Sequence, residues 1–268
     1  MASLIQDWLN LSQSLAPEWM LLIDWLICNA AILLLLRLFG AFGLTLFIVV
    51  AVIGANIQVL TASNFTHLNG FLESGLMPLG TILFSASYLA TDSLTEFYGK
   101  KAAQRSVLLG FAGAILFTLM MFVALSYRPL SVAEAGTDMA WAMENQGHMM
   151  ALFMPIPAII AASVCSFLIS QMNDIWVFLL IKWLTKNRFL WLRASLSTAF
   201  SGLVDNIIFS TLAWVVFSEN PVSFEVLLSY IFGTYLIRLL LAITEAPVIE
   251  LARFFVPKRD RQMKVAGS

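Results

Sequence analysis

Charge is what this chain has least of. Only 12% of its 268 residues are Asp, Glu, Lys or Arg, while 60% are hydrophobic, and the mean hydropathy is +0.87. A water-soluble domain carries about 25% charged residues. The chain therefore has too little polar surface to face water on every side, and it reads as an all-α, polytopic membrane protein. Cysteine is nearly absent: Cys28 and Cys165 both lie in apolar stretches without a CxxC spacing, which excludes a disulfide framework and leaves two small buried hydrophobes. The two histidines, His67 and His148, fall in predicted loops. With no H-E-x-x-H, no G-x-S-x-G and no Cys–His pair at a shared depth, an intramembrane enzyme is not expected; a hydrolase built from Asp92 and Asp205 alone is the form left open. No G-x-x-x-x-G-K-[ST] loop is present, so the chain does not hydrolyse ATP by that route. No basic run interleaves with aromatics, which argues against nucleic acid. The start, MASLIQDWLNLSQSLAPEW, holds no basic residue; it is expected to be a short amphipathic lead-in kept in the mature protein rather than a signal peptide.

What the chain does have is long apolar runs. Hydropathy predicts seven spans: Met20–Leu36, Ala41–Leu60, Gly75–Tyr98, Ser106–Tyr127, Leu152–Lys182, Trp191–Phe217 and Phe224–Phe255. The fifth and seventh exceed the ~20 residues that cross a bilayer, so they tilt, kink or project. Pro155 and Pro157 open the fifth, where a helix tolerates proline, and Pro247 predicts a kink in the seventh. Of the fifteen Lys and Arg residues, thirteen fall on one side of this topology: Arg37; Lys100, Lys101 and Arg105; Lys182, Lys186, Arg188 and Arg193; Arg253, Lys258, Arg259, Arg261 and Lys264. Arg128 alone lies in an opposite loop and Arg238 lies within a span. Positive loops stay in the cytoplasm, which predicts an outside N-terminus and an inside C-terminus. The outer loops are then Thr61–Ser74, Arg128–Ala151 and Ser218–Ser223, with a short surface helix expected over AEAGTDMAWAMEN.

Asp92, Glu96, Asp174, Asp205, Glu245, Glu250 and Arg238 interrupt the apolar spans. A charge in hydrocarbon costs about 2.5–3.5 kcal/mol on insertion scales, so such residues persist where they face a polar cavity or one another. Counted from the basic helix ends, Asp92 lies about 10 Å deep, Asp174 and Glu245 about 12 Å, Asp205 about 18 Å, and Asn56 and Arg238 about 22 Å. Asp92 and Glu96 share a face at i, i+4, Gln171 and Asp174 at i, i+3, and Arg238 and Glu245 at i, i+7. Glu96 and Glu250 are shallow enough to reach the surface. Two readings fit. Arg238 neutralises Asp205 or Glu245 in a packed bundle, with Asn56 and Gln58 bridging helices; or the set lines a chamber for a polar solute. One arginine cannot neutralise four deep carboxylates, which favours the second. Carboxylates suit an N–H-rich partner or an amine, and Trp176, Trp183, Tyr230 and Tyr235 could stack on a flat ring.

At this point the residues resemble a known family. LATDSLTEFYGKKAAQR (Leu89–Arg105) looks like the signature of vitamin-uptake-type queuosine precursor transporters. ANIQV, SFLISQMNDIWVFLLIKWLTKNRFLWLRASLST, GLVDNIIFS and YLIRLLLAITEAP are similar to other helices of that family, over roughly residues 41–256. The pattern departs at Gly202 (often Gln), Asn206 (often Thr), Arg238 (often Lys) and Glu245-Ala246-Pro247 (often Asp-Thr-Pro).

The resemblance implies a six-helix transporter core (41–256) that imports a 7-deazaguanine precursor for queuosine salvage into tRNA across the bacterial inner membrane. Residues 1–40 would add a lead-in and an extra transmembrane helix, and 257–268 a basic cytoplasmic tail. It maps substrate contacts onto Asn56, Gln58, Asp92, Glu96, Gln171, Asp174, Asp205, Arg238 and Glu245. The expected partners are a nucleobase-like solute and the lipid bilayer, with no cofactor and no metal. A homodimer stays open. So does the alternative that the chain is the binding subunit of an importer with a separate ATPase module.

Overall fold

The computed structural model describes residues 2–65, 76–136, 138–153 and 157–260. His67, Pro155, most of the expected first outer loop and the tail beyond 260 lie outside that set. The helices run α1 (Ala2–Ser14), α2 (Pro17–Phe39), α3 (Ala41–Gln58), α4 (Thr81–Phe97), α5 (Lys100–Leu125), α6 (Val132–Ala135), α7 (Ala140–Phe153), α8 (Pro157–Leu184), α9 (Leu190–Thr211) and α10 (Phe224–Phe255). A short antiparallel pair, β1 (Ala62–Asn64) and β2 (Leu76–Pro78), stands between α3 and α4, with Ser63 opposite Met77. Among the described residues, six helices are long and apolar enough to cross a membrane: α2, α3, α5, α8, α10, and α9 with its continuation to Val216. The molecule is a polytopic helix bundle. Leu, Ile and Phe project outward along it, as in Leu34, Phe42, Leu116, Phe200 and Phe254, all exposed, which suits hydrocarbon rather than water.

The third predicted span, Gly75–Tyr98, is a different object. α4 has 17 residues and begins at Thr81, because its expected first turn is the β2 strand. It packs against α2, α3, α5, α8, α9 and α10, and every residue from Ser85 to Thr95 is buried. The most central helix is thus rich in Ser, Thr and Tyr. Its hydroxyls close back on its own carbonyls: Ser87 to Phe84 O at 2.6 Å, Thr91 to Ser87 O at 2.9 Å and Thr95 to Thr91 O at 2.8 Å. These bonds let a polar helix sit where no water reaches. Gly80, in the left-handed region at φ 87°, admits the close approach of α3, since a side chain there would meet the Ala55 carbonyl at 2.8 Å.

α10 has the predicted bounds and passes through Pro247, which lies on an exposed face. The missing N–H leaves the Ile243 carbonyl without its helical donor there. α9 ends in a π-helical turn over Leu212–Val216. The expected surface helix is present as α6 and α7. α1 carries Leu4, Trp8 and Leu11 along one exposed side, the pattern of a helix lying in a membrane interface. α2 does more than flank the bundle: Ile32 and Leu36 are fully buried against it.

Candidate functional site

The polar residues of α4, α8, α9 and α10 form three layers along the bundle. The helical repeat stacks them: Tyr88, Asp92 and Glu96 on α4; Ser170, Asp174 and Lys182 on α8; Arg193, Ser197, Ser201 and Asp205 on α9. Steps of four or eight residues stay on one helix face.

The layer at the basic end centres on Glu96. Its Oε2 receives Arg193 Nη2 at 2.6 Å and Lys182 Nζ at 2.8 Å, joining α4, α8 and α9. The Arg193 side chain is 1% exposed and stands 5.3 Å from the Phe178 ring centroid. Behind it the α8–α9 turn holds Lys186, Asn187 and Phe189 at φ 49°, 66° and 54°. That strained turn offers the Arg188 carbonyl at 3.4 Å and Asn187 Oδ1 at 3.5 Å to Arg193 Nη1. Glu96 and Lys182 also line a cleft of ≈ 620 Å³ at this end, with Tyr98, Lys100 and Asp260. Tyr98 donates to Asp260 Oδ2 at 2.7 Å, which fastens the chain after α10 to the end of α4.

The middle layer holds Asp92, Asp174 and Glu245, none more than 4% exposed. The Asp92 and Asp174 carboxyls adjoin each other, Glu245 acts on Asp92 and lies beside Ser85, and Ser197 and Ser201 flank Asp174. Thr198 Oγ1 reaches Asp92 Oδ2 at 3.5 Å. Among the described residues, Asp92 Oδ1, both Asp174 oxygens, Glu245 Oε1, Gln171 Oε1 and Ser85 Oγ have no hydrogen-bond partner. Buried polar atoms are nearly always satisfied, so this layer holds more acceptors than the few hydroxyls around it satisfy. The three acids line neither the crevice beside Asn56 nor the cleft at the basic end.

In the third layer both oxygens of the Asp205 carboxylate are satisfied. Arg238 Nη1 pairs with Asp205 Oδ2, and Ser170 Oγ donates to Asp205 Oδ1 at 3.0 Å. Tyr88 OH donates to Ser170 Oγ at 2.8 Å. Gly202 faces the arginine stem, where a Cβ would stand 3.8 Å from Arg238 Cδ, in ordinary contact. Gln171 Nε2 donates to Ser87 Oγ at 2.8 Å, and Asn206 Nδ2 ties α9 to Ile231 O and Thr234 Oγ1 on α10.

Of the nine residues expected to contact solute, the structure brings Asp92, Gln171, Asp174, Asp205, Arg238 and Glu245 to the two inner layers. Glu96 sits one turn below, held by its two cations. Asn56 stands elsewhere. It lines an apolar crevice of ≈ 20 Å³ with Phe117 and Phe153, room for about one water, and its Nδ2 binds Val52 O at 2.8 Å. Gln58 ends α3 beside Gly80. Glu250 accepts the Trp191 N–H at 3.3 Å, capping the start of α9, and pairs with Arg253.

Comparison with known proteins adds the family. A profile described as "Putative vitamin uptake transporter" matches residues 78–252. The chain belongs to that family. The matched stretch contains every residue of the three layers. The transporter is also 29% identical over 231 residues to the "Probable queuosine precursor transporter" of Bacillus subtilis (strain 168), covering 86% of this chain and 92% of the relative. No solved structure matches it.

Other residues of the candidate site carry weaker signals in the sequence. Arg193 was counted only as a basic loop residue; its place on the Ser197, Ser201, Asp205 stripe of α9 was the available signal. Tyr88, Ser85 and Ser170 carry no charge to draw attention, though Tyr88 is four residues before Asp92. Asp24 lies within the first span and was passed over; it accepts a hydrogen bond from Cys28 at 3.7 Å.

Proposed function

We propose that this transporter imports a queuosine precursor, or a closely related 7-deazaguanine base, across the bacterial cytoplasmic membrane for salvage into tRNA queuosine. The named relative supports the substrate class. The observation that carries the reading is the donor deficit of the middle layer. A 7-deazaguanine edge presents an exocyclic amine beside a ring N–H, and such an edge would complete acceptors on Asp92, Asp174, Glu245 and Gln171. Hydrogen bonds to charged acceptors are worth about 1.5–3 kcal/mol each. In this reading those four residues hold the base, while Asp205 and Arg238 frame it and Glu96 closes the basic end. The asymmetry of Lys and Arg supports an outside N-terminus and an inside C-terminus. Residues 41–256 then form the transport core, with 1–40 leading in.

The test is salvage in a bacterial strain unable to make the precursor. With the chain expressed and precursor supplied, tRNA queuosine rises; with Asp174→Asn it falls back towards the level without the chain. Equal queuosine with and without the chain would sink the proposal. Solute accumulation by purified chain in vesicles, without a second protein, separates this reading from that of a subunit driven by an ATPase.

A further inference from the structure

We propose that the Glu96–Lys182–Arg193 cluster and the Asp205–Arg238 pair are two gates, both shut in this structure, that open in turn on opposite sides of the middle layer. The inference rests on the chain being a transporter, not on which solute it carries. The layers are ordered along the bundle, with the unsatisfied acids between two ion-paired ones. Each ionic layer joins different helices: α4, α8 and α9 at the basic end, α9 and α10 at the other, braced by Ser170 of α8 and Tyr88 of α4. A seal that ties separate helices is broken by moving one helix, whereas a pair within one helix is not.

α9 is the shared member. Arg193 and Asp205 are twelve residues apart on it, about 18 Å along its axis. Between them Ser197, Ser201 and Gly202 are buried and small, so α9 lies close to its neighbours at mid-length and can rock there. A tilt that draws Arg193 from Glu96 presses Asp205 towards Arg238, and the reverse tilt does the opposite. The π-helical turn at the end of α9 breaks the regular ladder where such a tilt must be absorbed. The ionic contacts are also only partly made. Among the described residues, the Nε atoms of both Arg193 and Arg238 lack a partner, so neither guanidinium is locked in a full fork. When one side opens, entering water hydrates the parted charges and removes most of the penalty of separating them in a dry interior.

The experiment places a reporter thiol in the middle layer, Ser85→Cys, in a chain carrying Cys28→Ala and Cys165→Ala. A membrane-impermeant methanethiosulfonate is applied to right-side-out and to inverted vesicles, without solute. With both gates intact, labelling is slow from either face. Glu96→Gln is expected to speed labelling from the basic face roughly tenfold and leave the other face unchanged; Arg238→Gln is expected to do the reverse. Glu96→Asp should restore slow labelling. Lys182→Gln, whose side chain is 26% exposed, weakens the same layer without stranding a fully buried charge and serves if Glu96→Gln does not fold. Faster labelling from both faces at once, or no change in any variant, overturns the proposal. Because no solute is present, face-specific labelling stands even if the queuosine assignment fails, and uptake can stand even if the labelling result is negative.

Discussion

The two inner layers of this bundle hold similar residues and end in opposite states. In one, Asp205 has a partner for each oxygen: Arg238 on one side and Ser170, backed by Tyr88, on the other. In the other, four oxygens of Asp92, Asp174 and Glu245 have no hydrogen bond, and only hydroxyls, those of Thr198, Ser85, Ser197 and Ser201, stand near them. Burial is nearly the same, 6% for Asp205 against 0–4% for the three acids. The difference is therefore not access to solvent but the supply of donors. A satisfied buried network rigidifies a bundle, while a donor-poor one waits for a partner from outside. In the proposed reading, the satisfied layer ties the helices together while shut, and the unsatisfied one receives the solute.

That contrast can be broken by substitution. The largest effect is expected from Arg238→Met, which strands Asp205 inside the bundle and lowers stability by about 3–5 kcal/mol. Denaturation in detergent measures it, and pairing the change with Asp205→Leu should recover most of the loss. Asp174→Asn should act the other way round. Losing a charged acceptor weakens apparent solute affinity about 10–100-fold, while the melting temperature holds or rises because a buried charge is gone. If Asp174→Asn destabilises as strongly as Arg238→Met, the division into a structural and a binding layer is wrong. Tyr88→Phe removes only the outer link of the completed chain and should cost about 0.5–1.5 kcal/mol, seen as a small drop in melting temperature with uptake retained. The smallest effect is expected at the surface pair Arg128–Glu134, whose side chains are 80% and 43% exposed. The Ser131 N–H and hydroxyl already hold the Glu134 carboxyl below its usual range, so Arg128→Gln should leave stability and uptake unchanged.

Most of the helices were legible because their message is written in many residues at once. α10 matches its predicted bounds to the residue, α2, α3 and α9 with its π-helical turn do so within three, and α5 and α8 start six residues before and five after their predicted starts, since ~20 apolar residues in a row have few other uses. α4 was harder. Its start was placed too early because Leu76–Pro78 is apolar like a helix and pairs as a strand instead. The site was legible where charge marked it: Asp92, Asp174, Asp205, Arg238 and Glu245 all reach the inner layers. It was not legible in partner choice. Whether Arg238 would meet Asp205 or Glu245 depends on how α9 and α10 are rotated against each other, which spacing within one helix does not encode. Asn56 shows the same limit, for its depth was inferred and its facing was not.

At 17 residues, α4 is about 26 Å long, a few ångströms less than the ~30 Å hydrocarbon slab around it. Its neighbours α2, α5, α8 and α10, at 23, 26, 28 and 32 residues, are long enough to exceed that thickness, while α3 at 18 is nearly as short as α4. A molecule following α4 crosses a barrier thinner than the one its lipid neighbours present. In the proposed reading, a solute that follows this pair of short helices has less hydrocarbon depth to cross before it meets the acids in the middle.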